Sequence, residues 1–211
     1  MARPKIKNII PISDADGIAE SQTPAAGGEQ SLSLAGALTV DGKFATETPH
    51  KIIITSAGDD TGRTFTVTGK GIGGQPQTVA YSGANAAATE STEYWREVSS
   101  IIVDDNTASS VTVGTNGESS SPWIPVNYRS RDFGLAIGVD LSEGASLTYS
   151  IEHTFEPIGN ISGNPAIQTH ESLVNLTASA DGNYEYPPTA VRMVVSTFTS
   201  GQAAFTIINK G

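Results

Sequence analysis

Three histidines, His50, His153 and His170, and two carboxylate pairs, Asp59-Asp60 and Asp104-Asp105, are the groups best suited to acid–base or metal chemistry in this chain of 211 residues. None of them falls into a pattern that such chemistry requires. The histidines are far apart in sequence and show no His-x-x-x-His spacing, the arrangement that places two imidazoles on one helical face around a metal. His153 lies on the apolar face of an alternating strand, where a hydrogen-bonded core or interface histidine is the structural reading. The carboxylate pairs stand in turn-like contexts, where Asp bonds its own backbone. Asp14-Ala15-Asp16-Gly17 opens like a calcium loop, but it has neither the central glycine in register nor a Glu at the twelfth position. Gly69-Lys70-Gly71-Ile72-Gly73-Gly74 matches the letters of a dinucleotide motif and follows a strand. Phosphate binding there needs a helix N-terminus, whereas Gln75 to Tyr81 reads as another strand, so the glycines are assigned to a wide turn. No Gly-x-Ser-x-Gly elbow occurs. A glycosidase cleft calls for paired acids beside exposed aromatics, and the chain has two tryptophans, Trp95 and Trp123. The expectation is a non-enzymatic protein with no cofactor, no catalytic residue and no metal ligand.

Composition sets the class of structure that must hold these groups. Cysteine is absent, which excludes disulfides and thiolate metal sites. Apolar residues make up 37%, and Ser and Thr are abundant, a mixture that fits half-buried strands better than helices. The net charge is −10, the wrong sign for a nucleic-acid partner, because phosphate binding relies on clustered Lys and Arg. Three of the twelve basic residues, Arg3, Lys5 and Lys7, fall in the first seven positions. No apolar run approaches the length of a membrane span. Ile9 and Ile10 are followed at once by Pro11, Ser13, Asp14 and Asp16, so a secretory core is not expected, and the sequons at Asn160 and Asn175 then carry no meaning.

The chain reads as all-β, with two small antiparallel β-sandwich-like units and an extended N-terminal arm. Residues 1–30, with Pro4, Pro11, Pro24 and Gly27-Gly28, form the arm. It is too poor in apolar area to order alone, and Arg3, Lys5, Ile6, Lys7, Ile9 and Ile10 are its candidate docking residues on a neighbouring subunit. Removing residues 1–30 is expected to leave a folded body. Residues 31–117 are the first β-domain, with strands over Ser31–Val40, Lys43–Thr46, Lys51–Thr55, Arg63–Thr68 and Gln77–Tyr81, and with Asp41-Gly42 as a hairpin turn. Residues 118–131, which contain a serine run and two prolines, are the linker. Residues 132–211 are the second domain, whose strand Leu147–Phe155 turns Leu147, Tyr149, Ile151, His153 and Phe155 to one face. The segment 157–179 is a long irregular loop, and Asp181-Gly182-Asn183 is a turn. Val98–Gly114 and Val191–Gly211 each read as a closing β-hairpin, and their shared plan points to duplication of one β-unit.

Gly62–Gly69 with Tyr94–Ile102, and again Tyr149–Phe155 with Asp181–Pro187 and Val191–Val194, give the chain a resemblance to small β-rich virion proteins of tailed bacteriophages over about residues 50–211. The resemblance implies a particle component and transfers no catalytic residue. It implies location in the virion after synthesis in the host bacterial cytoplasm, and partners among the major capsid protein, other virion proteins and further copies of the chain as a homo-oligomer. Capsid decoration or cement is the first reading, with a head-tail collar or adaptor, or a tail or tail-fibre protein, as alternatives. A glycan-binding β-module is a further alternative, one that needs an exposed, aligned Trp95 or Trp123.

Overall fold

The computed structural model describes residues 4–129, 133–158 and 165–210. The chain forms two compact units, Ile12–Gly117 and a second made of Met1–Pro11 with Glu118–Gly211. The first unit is therefore inserted into the second after that unit's opening strand, and the two are called here the inserted and the split unit.

The split unit opens with β1 (Lys5–Ile9). The inserted unit holds β2 (Ser13–Gln22), β3 (Gln30–Ser31), β4 (Thr39–Val40), β5 (Lys43–Ser56), β6 (Thr64–Gly71), β7 (Pro76–Ser82), β8 (Ala88–Glu90), β9 (Trp95–Val103) and most of β10 (Val111–Ser120). The split unit resumes with the end of β10 and continues through β11 (Ile124–Pro125), β12 (Gly134–Leu141), β13 (Ser146–Thr154), β14 (Gln168–Thr169), β15 (Ala180–Tyr184), β16 (Ala190–Ser200) and β17 (Ala203–Lys210). Among the described residues there is no α-helix. The chain is all-β with antiparallel sheets in sandwich-like units.

In the split unit one layer has the order β1-β17-β12-β15, and the other runs β14-β13-β16, with β11 and the end of β10 also on β16. Alternation makes each strand two-faced. Leu135, Ile137, Val139, Phe205 and Ile207 from the first layer meet Leu147, Tyr149, Ile151, Val191, Met193 and Val195 from the second in one buried cluster. The layers are joined by bending a single ribbon. The pair β13·β16 folds over at Ser142–Ala145 and Gly201-Gln202 and continues as the pair β12·β17. Register shifts beside Leu147 and Tyr149 curl the ribbon, as bulges do at sandwich corners. At that corner Gly201 has φ 91°, and a Cβ on it would lie 2.5 Å from the Cβ of Ala145, so only glycine fits.

The inserted unit repeats this plan. One layer runs β2-β10-β5-β8 and the other β7-β6-β9. Strand for strand, β2, β5, β6, β7, β8, β9 and β10 take the places of β1, β12, β13, β14, β15, β16 and β17. Strand β5 is long and irregular between Ala45 and His50, so its first part pairs with β9 and its last part with β8. Ile18, Phe44, Ile54, Phe65, Trp95, Ile101 and Val113 fill the core.

Both closing hairpins expected from the sequence are thus replaced by layer-switching strands. In the described pairings β9 bonds to β3, β5 and β6, and β16 to β10, β11 and β13, while β10 and β17 lie in the opposite layers. A hairpin and a folded-over ribbon have the same apolar alternation, and a hairpin alone would leave Val191, Met193 and Val195 without a facing layer. The duplication itself appears as repeated topology.

The N-terminal segment is not a free arm where it is described. Strand β1 pairs along Ala203–Ile207 and buries Ile9, and β2 pairs with β10 and buries Ile18 and Ala19. Residues 24–28 are held by the 105–107 turn through Gly27 N–H to Asn106 Oδ1 at 2.6 Å, Gly28 N–H to Asp105 Oδ1 at 3.0 Å and Thr107 N–H to the Pro24 carbonyl. Sparse apolar residues are enough here because the sheets supply the backbone partners. Deletion of residues 1–30 would therefore strip two strands from the body.

The segment 118–131 is likewise structural over Glu118–Arg129. Ser121 bonds Met193 through both backbone and side chain, and Ile124 and Val126 are buried; Ser130 and Arg131 lie outside the described residues. Asp181-Gly182-Asn183 is strand, opposite Gly138, Ile137 and Ala136. Of Ser31–Val40, only Ser31 and the Thr39-Val40 pair are strand. The loop at 165–179 packs along β13 through Ile151 N–H to the Leu173 carbonyl and a mutual Tyr149–Leu176 pair, covering an edge that would otherwise be open.

Ile9→Ala should lower the unfolding free energy by about 2–5 kcal/mol, as for other buried Ile truncations, measured by urea titration. A loss below about 0.5 kcal/mol, typical of a surface site, would mean that β1 contributes nothing to the core.

Candidate functional site

Lys5, Ile6, Lys7, Ile9 and Ile10 sit on or beside the edge of the layer β1-β17-β12-β15, and Arg3 lies outside the described residues. Directly opposed residues in an antiparallel pair share a face. Ile9 opposes Ala203 and points into the core, while Ile6 opposes Thr206 and points out. Thr206 opposes Gly138 and Ile208 opposes Ala136, so the outer face carries Ile6 and Ile208 beside Ala, Gly and Thr, and by the same registers also Asn8, Asp140, Asp181, Asn183 and Lys210. Ile6 is 60% and Ile208 43% exposed. Ile10, just beyond β1, is also exposed. Lys5 and Lys7 have the parity of the inner face, but at the edge they are exposed, and Lys5 Nζ reaches the Pro125 carbonyl at 3.4 Å. Inward-facing lysines on an edge strand discourage addition of another strand outside it. Ile208 escaped the sequence reading, although the doublet Ile207-Ile208 at a strand end requires one of the two to face outward.

The fold brings His153 and His170 together around Tyr184. Tyr184 lies edge-on to both imidazoles, with centroids 5.1 Å and 4.7 Å away, and its Oη is 3.0 Å from His153 Nδ1. His170 Nδ1 accepts the N–H groups of Ser172 and Leu173, so Nε2 carries the proton and donates to the Asn183 carbonyl at 3.1 Å. His153 is buried. Burial, followed by the charge of His170, holds its pKa below the usual histidine value. Burial also raises the Tyr184 phenol. Phe155 and Tyr186 flank His153 with exposed rings. His50 belongs to the other unit, where Nε2 accepts the Ile12 N–H at 3.0 Å and fixes the chain entering β2. Among the described residues no three His, Asp or Glu side chains are grouped to hold a metal ion.

The other chemical candidates have structural work. Asp59 accepts the N–H and hydroxyl of Thr61, and Asp105 accepts the N–H groups of Asn106 and Gly28. These bonds hold both carboxyls below their usual range. Asp60 is buried and accepts the Ala108 N–H at 2.7 Å. Asp14 and Asp16 lie within strand β2. In the glycine motif, Gly69 is inside β6 at a register shift, where a Cβ would lie 1.9 Å from the Glu97 carbonyl oxygen. Close backbone approach, not phosphate, demands this glycine. Trp95 is fully buried and donates to Tyr81 Oη, whereas Trp123 is half-buried beneath the Arg192 guanidinium, 4.6 Å from its ring. Arg192 is itself paired with Glu152 at 2.6 Å. Neither indole is the exposed, aligned ring that a sugar platform needs.

His153 makes stability pH-dependent in a defined direction. Its folded pKa lies below the ordinary 6.5, so the unfolded chain takes up the proton first as pH falls. The contribution of the neutral ring is complete above about pH 6.5 and is lost as pH drops through the lowered folded value. In urea titrations at about pH 7.5 and pH 5.5, spanning the ordinary histidine pKa, His153→Gln should show a smaller loss between the two pH values than the parent chain. Equal losses would contradict this role. No known family model matches the chain, and neither a curated protein nor a solved structure is significantly similar to it.

Proposed function

We propose that this chain is a non-enzymatic structural component of a tailed-phage virion that decorates the capsid and binds neighbouring capsid subunits. The observation that carries the reading is the outer face of the layer β1-β17-β12-β15, where Ile6 and Ile208 stand exposed beside Ala136, Gly138 and Thr206, with Lys5 and Lys7 at the edge and Asp140, Asp181 and Asn183 further across the sheet. The two isoleucines offer apolar area on the β1–β17 side of this face, and the lysines give an otherwise acidic protein a basic edge that steers it towards acidic neighbours. The repeated sandwich is a scaffold for presenting surface, and its His, Asp and Trp side chains are engaged in packing and loop bonds. The resemblance of Gly62–Gly69, Tyr149–Phe155 and Val191–Val194 to tailed-phage virion proteins supports the same assignment. On this reading the chain acts in the particle, in many copies related by the symmetry of the shell.

A collar, adaptor or tail position is the second reading, since it uses the same exposed face. Imaging of the assembled particle separates the two: copies spread over the shell fit decoration, and a single ring on the tail axis fits the junction.

Burying an isoleucine side chain contributes about 1.5–3 kcal/mol, which corresponds to roughly tenfold to hundredfold in affinity. Ile6→Glu and Ile208→Glu should each reduce binding to particles lacking the protein by at least about tenfold, while thermal unfolding of the free chain stays close to that of the parent. Undiminished binding by both variants would exclude this face as the contact.

A further inference from the structure

We propose that β1 is an exchangeable strand, and that two copies of this chain associate by each placing its β1 along the β17 of the other. This self-association concerns the purified chain and does not rest on the particle role. Among the described residues, strand β1 is an edge strand whose register lies on β17. Of its five residues only Ile9 is buried, so a single side chain anchors the strand in the core and an exchanged strand has to seat the same one. Its covalent path to the rest of its sheet runs through the whole inserted unit, Ile12–Gly117. Between β1 and β2 lie Ile10, Pro11 and Ile12, and Ile12 is fixed in the inserted unit by its N–H to His50 and its carbonyl to Thr115 Oγ1 at 2.7 Å. The stretch between β1 and this anchor is Ile10-Pro11.

The occupant follows from the same geometry. A displaced β1 leaves the backbone groups of Ala203–Ile207 open on one side, and the sequence that matches that edge in register is β1 itself, supplied by a second copy. Exchange reproduces the closed contacts without inventing any, so concentration decides between the two forms. Simple edge-to-edge pairing outside β1 is disfavoured by Lys5 and Lys7, which leaves replacement as the route by which this edge joins two chains.

The chain has no cysteine, so the register can be trapped cleanly. Asn8 and Ala204 face each other across β1 and β17, and facing residues of an antiparallel pair lie within disulfide reach. An Asn8→Cys chain is mixed at high concentration with a mass-tagged Ala204→Cys chain, equilibrated and oxidised. The control pairs Ala204→Cys with Val40→Cys, an exposed position in the inserted unit. Exchange predicts a mixed disulfide dimer at least about tenfold above the control, rising with concentration. The double variant N8C/A204C should close within one chain when dilute, which reports that the register is intact, and should form covalent dimers when concentrated. A mixed dimer no more abundant than the control, with the double variant closing only within one chain at every concentration, overturns the proposal.

Discussion

The folded-over antiparallel ribbon is the constraint on which the molecule depends. In each unit a pair of central strands runs through one layer, bends, and continues through the other, as β13·β16 becomes β12·β17. A single ribbon thereby supplies both walls of the core, and the apolar faces of its four strand segments close on one another. The bend explains the glycine at position 201 and the register shifts beside it. It also explains why each unit needs a strand from earlier in the chain: β1 on β17 and β2 on β10 complete the layer that the ribbon's last strand would otherwise leave as a raw edge.

This architecture uses up the residues that looked chemical. His50 receives the chain at Ile12, His170 ties its loop to Asn183, Asp60 and Asp105 secure turns, and Trp95 fills a core. Arg192, paired with Glu152 and stacked on Trp123, spends its charge inside the split unit. Ile6 and Ile208, exposed on the outer face of β1 and β17, lie outside this packing.

Much of the strand content was legible because period-two alternation is a local property. Thr64–Gly71 and Ser146–Thr154 appear close to where the pattern puts them, with Leu147, Tyr149, Ile151 and His153 facing inward, whereas Phe155, expected on the same face, lies beyond the strand end and is exposed. The Asp41-Gly42 turn joins β4 to β5 as its residues demand. What failed to show was non-local. Alternation does not say whether two successive strands pair or part into different layers, so Val98–Gly114 and Val191–Gly211 read as hairpins. A short polar strand such as β1 or β2 has little apolar period of its own and owes its order to β17 or β10, so the first thirty residues read as an arm. Asp181-Gly182-Asn183 has turn composition, but pairing with β12 overrides it. His153 and His170 meet through Tyr184 because β13 and β15 lie in facing layers, a relation that spacing along the chain does not encode.

The central claim is that the first strands close the sandwiches and do not hang free, and amide hydrogen exchange tests it most directly. Edge strands protect alternate amides, those that bond to the neighbouring strand. Slow exchange is expected at such alternate positions in Lys5–Ile9 and Ser13–Gln22, comparable with the strands they pair with. Exchange across residues 5–22 at the rate of an unstructured chain, with β16 still protected, would contradict it.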